Sequence, residues 1–192
     1  ARPDGSFAAY NTDCPAAIDA LLAGMEKLEG GPLLTGRNVL LLGAGGAARA
    51  IAHTLHREGA LVIITNRTPD RAQQLAAEIG CRTVDWNARH SVIAEIVINC
   101  TSLGMFPNID ESPIHHSFLK PNLVVFDVVY NPETTLLVKE ARERSCHVIT
   151  GVDMFVRQAA LQFKLFTGQD APLDVMRKAV RRALSPVALR EE

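Results

Sequence analysis

The sequence predicts an α/β protein built on one doubly wound parallel sheet, and three observations carry the prediction. Asn38–Leu42 is a continuous apolar run of strand length. Gly43-Ala44-Gly45-Gly46-Ala47-Ala48 follows with the spacing G-x-G-x-x-A, then a helical pattern and a second apolar run, Leu61–Thr65. That is one βαβ unit. The alternation continues with a short strand near Arg82–Val84 and clearer ones at Ile96–Cys100, Leu123–Asp127 and Cys146–Thr150. Six strands with right-handed crossovers imply a Rossmann-type sheet of order 3-2-1-4-5-6, continued by additional C-terminal helices. Finally, the segments expected at the carboxyl ends of the strands are glycine-rich or hydrogen-bonding: Gly43–Ala48, Asn66–Arg71, Asn99–Ser102, Asp127–Tyr130 and Thr150-Gly151. Ligands of such sheets gather at those ends, and the opposite ends show no comparable set.

In chain order, Ala1–Tyr10 has no complete element. Ile18, Leu21, Leu22, Met25 and Leu28 then recur at helical spacing up to Gly30-Gly31-Pro32, which reads as a hinge or linker. Asp13 stands just before this helix, where an aspartate commonly serves as N-cap and contributes about 1 kcal/mol. In the glycine-rich turn, Gly43 permits the tight bend and Gly45 lets a pyrophosphate approach the backbone. Ala44, Gly46 and Ala47 complete the turn, and Ala48 is small enough for the helix to pack closely on the strand. The helix N-terminus offers free N–H groups and the positive end of its macrodipole to the anion.

Leu61–Thr65 ends where such folds discriminate NAD from NADP. An NAD site offers an acid to the ribose hydroxyl, whereas a 2′-phosphate selects arginine. Here the strand end runs Asn66-Arg67-Thr68-Pro69-Asp70-Arg71. Pro69 places Asp70 in a first helical turn, where it compensates the dipole, so Arg67 and Arg71 favour NADP over the alternative of two merely solvated arginines.

A helix over Pro69–Ile79 stops at Gly80, and Ala88–Ala94 is a poorly defined connection. A loop with Pro107 and Pro113 leads to a short helix, and Glu133–Arg144 forms a longer one. Val152–Phe166 is apolar nearly all round, which implies burial on more than one side. Gln158 shares a face with Met154, and its amide must either bond locally or read a polar ligand. The last helix, about Pro172–Leu184, carries a basic face, and Pro186 begins a tail.

The chain has 192 residues, 47% hydrophobic and 21% charged, with a net charge of -1, the composition of an ordinary globular protein. That balance gives no electrostatic case for nucleic acid or an anionic membrane. No apolar run reaches the ~18 residues of a membrane span. Cys14, Cys81, Cys100 and Cys146 lack metal-ligand spacing and read as small core residues in a reducing cytoplasm, so no metal is expected.

Six motifs in order resemble the shikimate dehydrogenase family: Tyr10-Asn11-Thr12-Asp13, Gly43–Ala47, Asn66-Arg67-Thr68, Asn99–Met105, Asp127–Pro132 and Gly151–Phe163. The resemblance spans about Tyr10 to Gly168. It implies reversible NADP-dependent reduction of 3-dehydroshikimate to shikimate in aromatic amino acid biosynthesis, in the cytoplasm. It also implies that Asp13 is the catalytic aspartate and a substrate ligand, that Gln158 bonds shikimate hydroxyls, and that Tyr130 stands at the substrate and nicotinamide end. Asn66, Arg67, Thr68 and Arg71 match the group holding the 2′-phosphate, and Thr101, Ser102, Gly151 and Met154 fall on the nicotinamide side. A dimeric parent enzyme is compatible with it.

Two departures bear on the site. Ala9 and Cys14-Pro15-Ala16 replace glycines usual around the aspartate, stiffening that loop. None of Lys27, Lys120, Lys139, Lys164 or Lys178 matches the lysine that the family pairs with the aspartate. The expected organisation is therefore a remnant of the substrate domain with a linking helix over 1–31, an NADP-binding domain over 32–151, and returning helices over 152–192 that would pack on an N-terminal domain. Such a chain binds NADP(H) but lacks full activity alone. The alternatives are a quinate/shikimate dehydrogenase using either cofactor, which an acid at Asn66–Thr68 would have favoured, and a non-catalytic NADP-binding module.

Overall fold

The computed structural model describes residues 4–184; the ends of the two outer segments, including the tail from Pro186, lie outside them. Six parallel strands are ordered 3-2-1-4-5-6: β1 Asn38–Leu42, β2 Leu61–Thr65, β3 Arg82–Thr83, β4 Ile96–Asn99, β5 Val124–Asp127 and β6 His147–Ile149. The expected topology is present. The registers Val39↔Ile96 and Leu42↔Asn99 set β1 beside β4, with β2 on its other flank, so the order reverses between β1 and β4. β3 is shorter than expected, two exposed residues at the sheet edge, where a brief strand limits unpaired backbone.

The helices are α1 Asp13–Met25, α2 Gly46–Arg57, α3 Pro69–Ile79, α4 Leu136–Glu143, α5 Gly151–Thr167 and α6 Leu173–Ala183. Strand side chains alternate between two cores, as the two-residue period dictates. Val39, Leu41, Ile64, Ile98 and Phe126 face α1, α2 and α3, whereas Leu40, Leu42, Val97 and Val125 face Leu137 and Ala141 of α4 together with Ile114 and Leu119. Two expectations shift here. The connection after β3 contains a 3-10 turn, Trp86–Ser91, begun by Asp85 accepting from the Asn87 N–H at 2.8 Å. α4 starts at Leu136 rather than Glu133, because the Thr135 hydroxyl caps the Val138 N–H at 3.2 Å.

The linker Gly30-Gly31-Pro32 is held by Arg37, whose guanidinium donates to the carbonyls of Glu29 and Leu33. All four cysteines are free and partly exposed, and Cys81, Cys100 and Cys146 pack against the cores. α5 differs from its expectation too. It buries Gly151, Val152, Met154 and Val156 and packs Leu161 against the core, but its last turn is exposed, with Phe166 86% exposed. No helix of the described residues is long and apolar enough to cross a membrane.

Candidate active site at the strand carboxyl ends

The turn after β1 shows why its small residues are needed. Gly43 has φ +110°, and a Cβ on it would lie 2.9 Å from the Cys100 carbonyl oxygen. Its N–H donates to the Thr65 carbonyl at 2.8 Å, so the turn is pinned to β2 and β4 at once. Ala48 is fully buried under the turn. Gly45 caps α2 with no side-chain bond, and the space above Gly45 and Gly46 is open. The free N–H groups of α2 therefore face a clear approach, and that donor set fits a pyrophosphate.

At the end of β2, Asn66 donates its amide to the Thr68 carbonyl at 2.9 Å, which shapes the turn into α3. Arg67 and Arg71 are exposed and form no ion pair among the described residues. Asp70 occupies the first turn of α3, as the proline required.

The exits of β4 and β5 form a buried polar network whose connectivity sequence reasoning missed. Asp127, Asn99 and Thr135 are 0%, 0% and 1% exposed. The Asp127 carboxylate accepts from the Asn99 amide at 2.9 Å, the Val129 N–H at 3.1 Å and the Thr135 hydroxyl at 2.6 Å. The Asn99 carbonyl oxygen in turn accepts from the Thr101 N–H at 3.0 Å and hydroxyl at 2.7 Å. Burial pushes the Asp127 carboxyl up to about 6, while the bonds from Thr135, Val129 and Asn99 pull it down. Burial, with Asp127 adding to it, also pushes the Cys100 thiol up. The signal was present in the sequence as two polar residues, Asn99 and Asp127, each ending an otherwise apolar strand.

Asp13 does not cap α1. Asn11 takes that task, its side-chain oxygen accepting from the N–H groups of Asp13 at 2.9 Å and Cys14 at 3.2 Å. Thr12 is the N-cap residue and uses no side-chain cap bond. Asp13 is thereby released to the other side of the helix, where its carboxylate accepts from the Gln158 amide of α5. One turn on, Gln162 donates to the Thr12 hydroxyl at 3.3 Å. Gln158 is thus not occupied by its own helix, and α1 and α5 meet through a polar seam.

Tyr130, 44% exposed, stacks on Phe155 with ring centroids 4.8 Å apart. Asp13, Tyr130 and Gln158 are therefore all gathered on α5. Met154 is buried at 7% exposure and belongs to the core, whereas Ser102 is exposed. A Cβ on Gly151 would lie 2.3 Å from the Val129 carbonyl, so the start of α5 abuts the exit of β5. α5 is anchored there by Asp153, which accepts from the Thr150 N–H at 3.3 Å and pairs with Arg177 of α6. Burial alone would raise the Asp153 carboxyl; the Arg177 bond and the others oppose it and hold it below the usual range.

The opposite rim is not featureless. A groove of about 930 Å³ lies beneath the strand amino ends, between Lys27, His90, Phe118, Lys120 and His147. It includes none of the predicted site residues and lies on the face where this topology does not place ligands.

A profile described as Shikimate / quinate 5-dehydrogenase matches residues 26–132, and one described as Shikimate 5'-dehydrogenase C-terminal domain matches residues 151–181. The chain belongs to the shikimate dehydrogenase family. It is 40% identical over 190 residues to the NADP(+) shikimate dehydrogenase of Methanosarcina mazei, covering 94% of this chain and 65% of that protein. It is 40% identical over 185 residues to the chloroplastic bifunctional 3-dehydroquinate dehydratase/shikimate dehydrogenase of Arabidopsis thaliana, covering 91% of this chain and 30% of that one. The crystal structure of shikimate 5-dehydrogenase from Thermus thermophilus in complex with NADP(H) and shikimate superposes with a TM-score of 0.78 at 36% identity, over 91% of this chain and 63% of that one. This chain thus spans 30% to 65% of the length of these two curated relatives.

Proposed function

We propose that this chain is the NADP-binding part, with the returning helices, of an NADP-dependent shikimate dehydrogenase that interconverts 3-dehydroshikimate and shikimate in the cytoplasm. The observation that carries the reading is the Asp13–Gln158 pair: a carboxylate released from capping and held by an amide 145 positions away, on the helix whose start abuts the β5 exit. A binding module has no use for that arrangement. The bound cofactor supplies the hydride chemistry. Gly43, Ala44, Gly45, Gly46 and Ala47 cradle its pyrophosphate, and Arg67 and Arg71, with Asn66 and Thr68 shaping their turn, receive the 2′-phosphate. Relatives described as NADP enzymes support this choice.

Asp13 acts on the substrate hydroxyl. In the oxidising direction its carboxylate oxygen takes the hydroxyl proton, and in the reducing direction it returns that proton to the new alkoxide. The Gln158 amide orients both the carboxylate and the substrate hydroxyls, and Tyr130, stacked on Phe155, closes the adjoining side. Among the described residues no cation pairs with Asp13. The exposed apolar last turn of α5, with Leu165 and Phe166, supports a further packed region in the complete enzyme. The chain by itself accordingly binds NADP(H) without appreciable turnover.

Two measurements test this. Calorimetric titration with NADP and NAD should show binding with preference for NADP; equal or absent binding would remove the cofactor assignment. In the full-length enzyme, Asp13→Asn should lower kcat by about 10²-fold or more, the usual range for loss of an acid–base group, and unaffected turnover would remove the dehydrogenase reading.

A further inference from the structure

Strand order reverses between β1 and β4, the place where a sheet of this kind holds its ligand. If Arg67 and Arg71 hold the adenosine end beyond β2, the other end of a dinucleotide crosses to the exits of β4 and β5, since the ligand straddles the point where strand order reverses. The walls there are two loops: Thr101–Met105 after β4, and Val128–Asn131 after β5. The Phe106 N–H donates to the Asn131 carbonyl at 3.1 Å, so the loops also touch one another. Both converge on one buried side chain.

An ionised carboxylate can only accept hydrogen bonds, and that fixes the direction of every bond leading from Asp127. The Asn99 amide must donate to it, which turns the Asn99 carbonyl oxygen toward Thr101. The Thr101 hydroxyl then spends its proton on Asn99, and its own oxygen accepts from the Leu103 N–H at 3.2 Å. On the other side, Asp127 takes the Val129 N–H directly and sets the strand exit that leads to Tyr130. The Thr135 hydroxyl donates to Asp127 while accepting from the Val138 N–H, which links the carboxylate to the positive end of α4.

We propose that Asp127 is a positioning residue: through Asn99 and Thr101 on one side and Val129 on the other, one buried carboxylate holds both walls of the nicotinamide end of the crevice in register. The inference rests on the NADP reading above. Asp127 itself is fully buried and touches no ligand. Asparagine at this position can keep its oxygen for Asn99 and Val129 and turn its amide onto Thr135, whereas alanine removes the oxygen that accepts from both the Asn99 amide and the Val129 N–H, so Asn99 is freed to flip and Thr101 turns with it.

The test compares two ligands on this chain by calorimetry: NADP, and NADP lacking its nicotinamide ring, 2′-phospho-ADP-ribose. In Asp127→Ala the affinity for NADP should fall about tenfold, as expected for one lost buried hydrogen bond, while that for 2′-phospho-ADP-ribose stays within about twofold. Backbone amide resonances of Thr101 and Val129 should move in the ligand-free variant, with those of Gly45–Ala47 unmoved. Equal losses for both ligands would mean a general loosening and overturn the proposal, as would no loss for either. Should Asp127→Ala not fold, Thr101→Val removes the last hydroxyl of the chain of bonds and should reproduce the selective loss; an unchanged ratio overturns the proposal. Wild type that binds both ligands equally also overturns it but leaves NADP as the cofactor. Wild type that binds neither removes the cofactor reading and the proposal together.

Discussion

At the exit of β2, Arg67 and Arg71 stand in solvent without an ion pair among the described residues, whereas at the exits of β4 and β5 the side chains of Asn99, Asp127 and Thr135 are buried and bonded to one another. The two regions lie on one rim of one sheet and prepare for a ligand by opposite means. Exposed arginines cost nothing to leave unpaired, since water solvates them, and their charge is available for a phosphate. The β4–β5 side is organised before any ligand arrives, because a buried polar group must find its partners within the protein. Substitutions should therefore harm binding alone on the first side, and folding together with binding on the second.

The contrast breaks most visibly at Asn99. Asn99→Ala takes a donor from Asp127 and both acceptor bonds from Thr101, and should reduce the unfolding free energy by about 3 kcal/mol in denaturant titration. A loss below about 1 kcal/mol would mean that water already serves this network, and the distinction would disappear. On the other side, Arg67→Ala should weaken NADP binding by about 10- to 100-fold, the range of one charge-assisted phosphate contact, with the melting temperature unmoved. A large fall in melting temperature would show that Arg67 has a structural partner after all.

Acidity sharpens the comparison at a smaller scale. Because burial raises Asp127 to about 6, between the unfolded value of 3.8 and about 6 the folded protein holds a proton there that the unfolded chain has released, whereas at neutral pH the carboxylate is ionised. Its contribution to stability is therefore present at low pH and lost as the pH rises through 6. The stability difference between wild type and Asp127→Asn should shift in favour of wild type by about 1 kcal/mol between pH 8 and pH 5, followed by denaturation at each pH. The Cys100 thiol beside it stays neutral throughout, since burial raises it. No such shift should accompany Arg67→Ala. The smallest effect is expected at Arg181, whose pair with Glu133 at 2.9 Å is half-exposed. Arg181→Ala should change stability by less than about 0.5 kcal/mol, within the usual worth of surface ion pairs. A larger change would mean that α6 is held to the segment before α4 through that contact.

Much of the fold was legible because its signals are local. Apolar runs of strand length, the G-x-G-x-x-A turn and the Pro69 helix start each declare themselves within a few residues, and the crossover rules then leave one strand order. The small residues of the turn could be assigned for the same reason. What local signals could not supply were pairings across the sequence. Asp13 reads as a cap from its neighbours, and only the folded chain shows that Asn11 caps α1 while Gln158 of α5 takes the carboxylate. The apolar circumference of Val152–Phe166 suggested burial on several sides, yet its last turn is exposed, because periodicity says which residues want cover and not whether cover is supplied. Asn99 and Asp127 were visible as strand-end polar residues, but their union depends on β4 lying beside β5 in the register Asn99↔Asp127. The sequence by itself thus determined the sheet, its turns and the chemistry present at each strand end. Tertiary structure alone decided which of those groups face solvent and which bond each other, because burial and hydrogen-bond partners belong to residues brought together from distant parts of the chain.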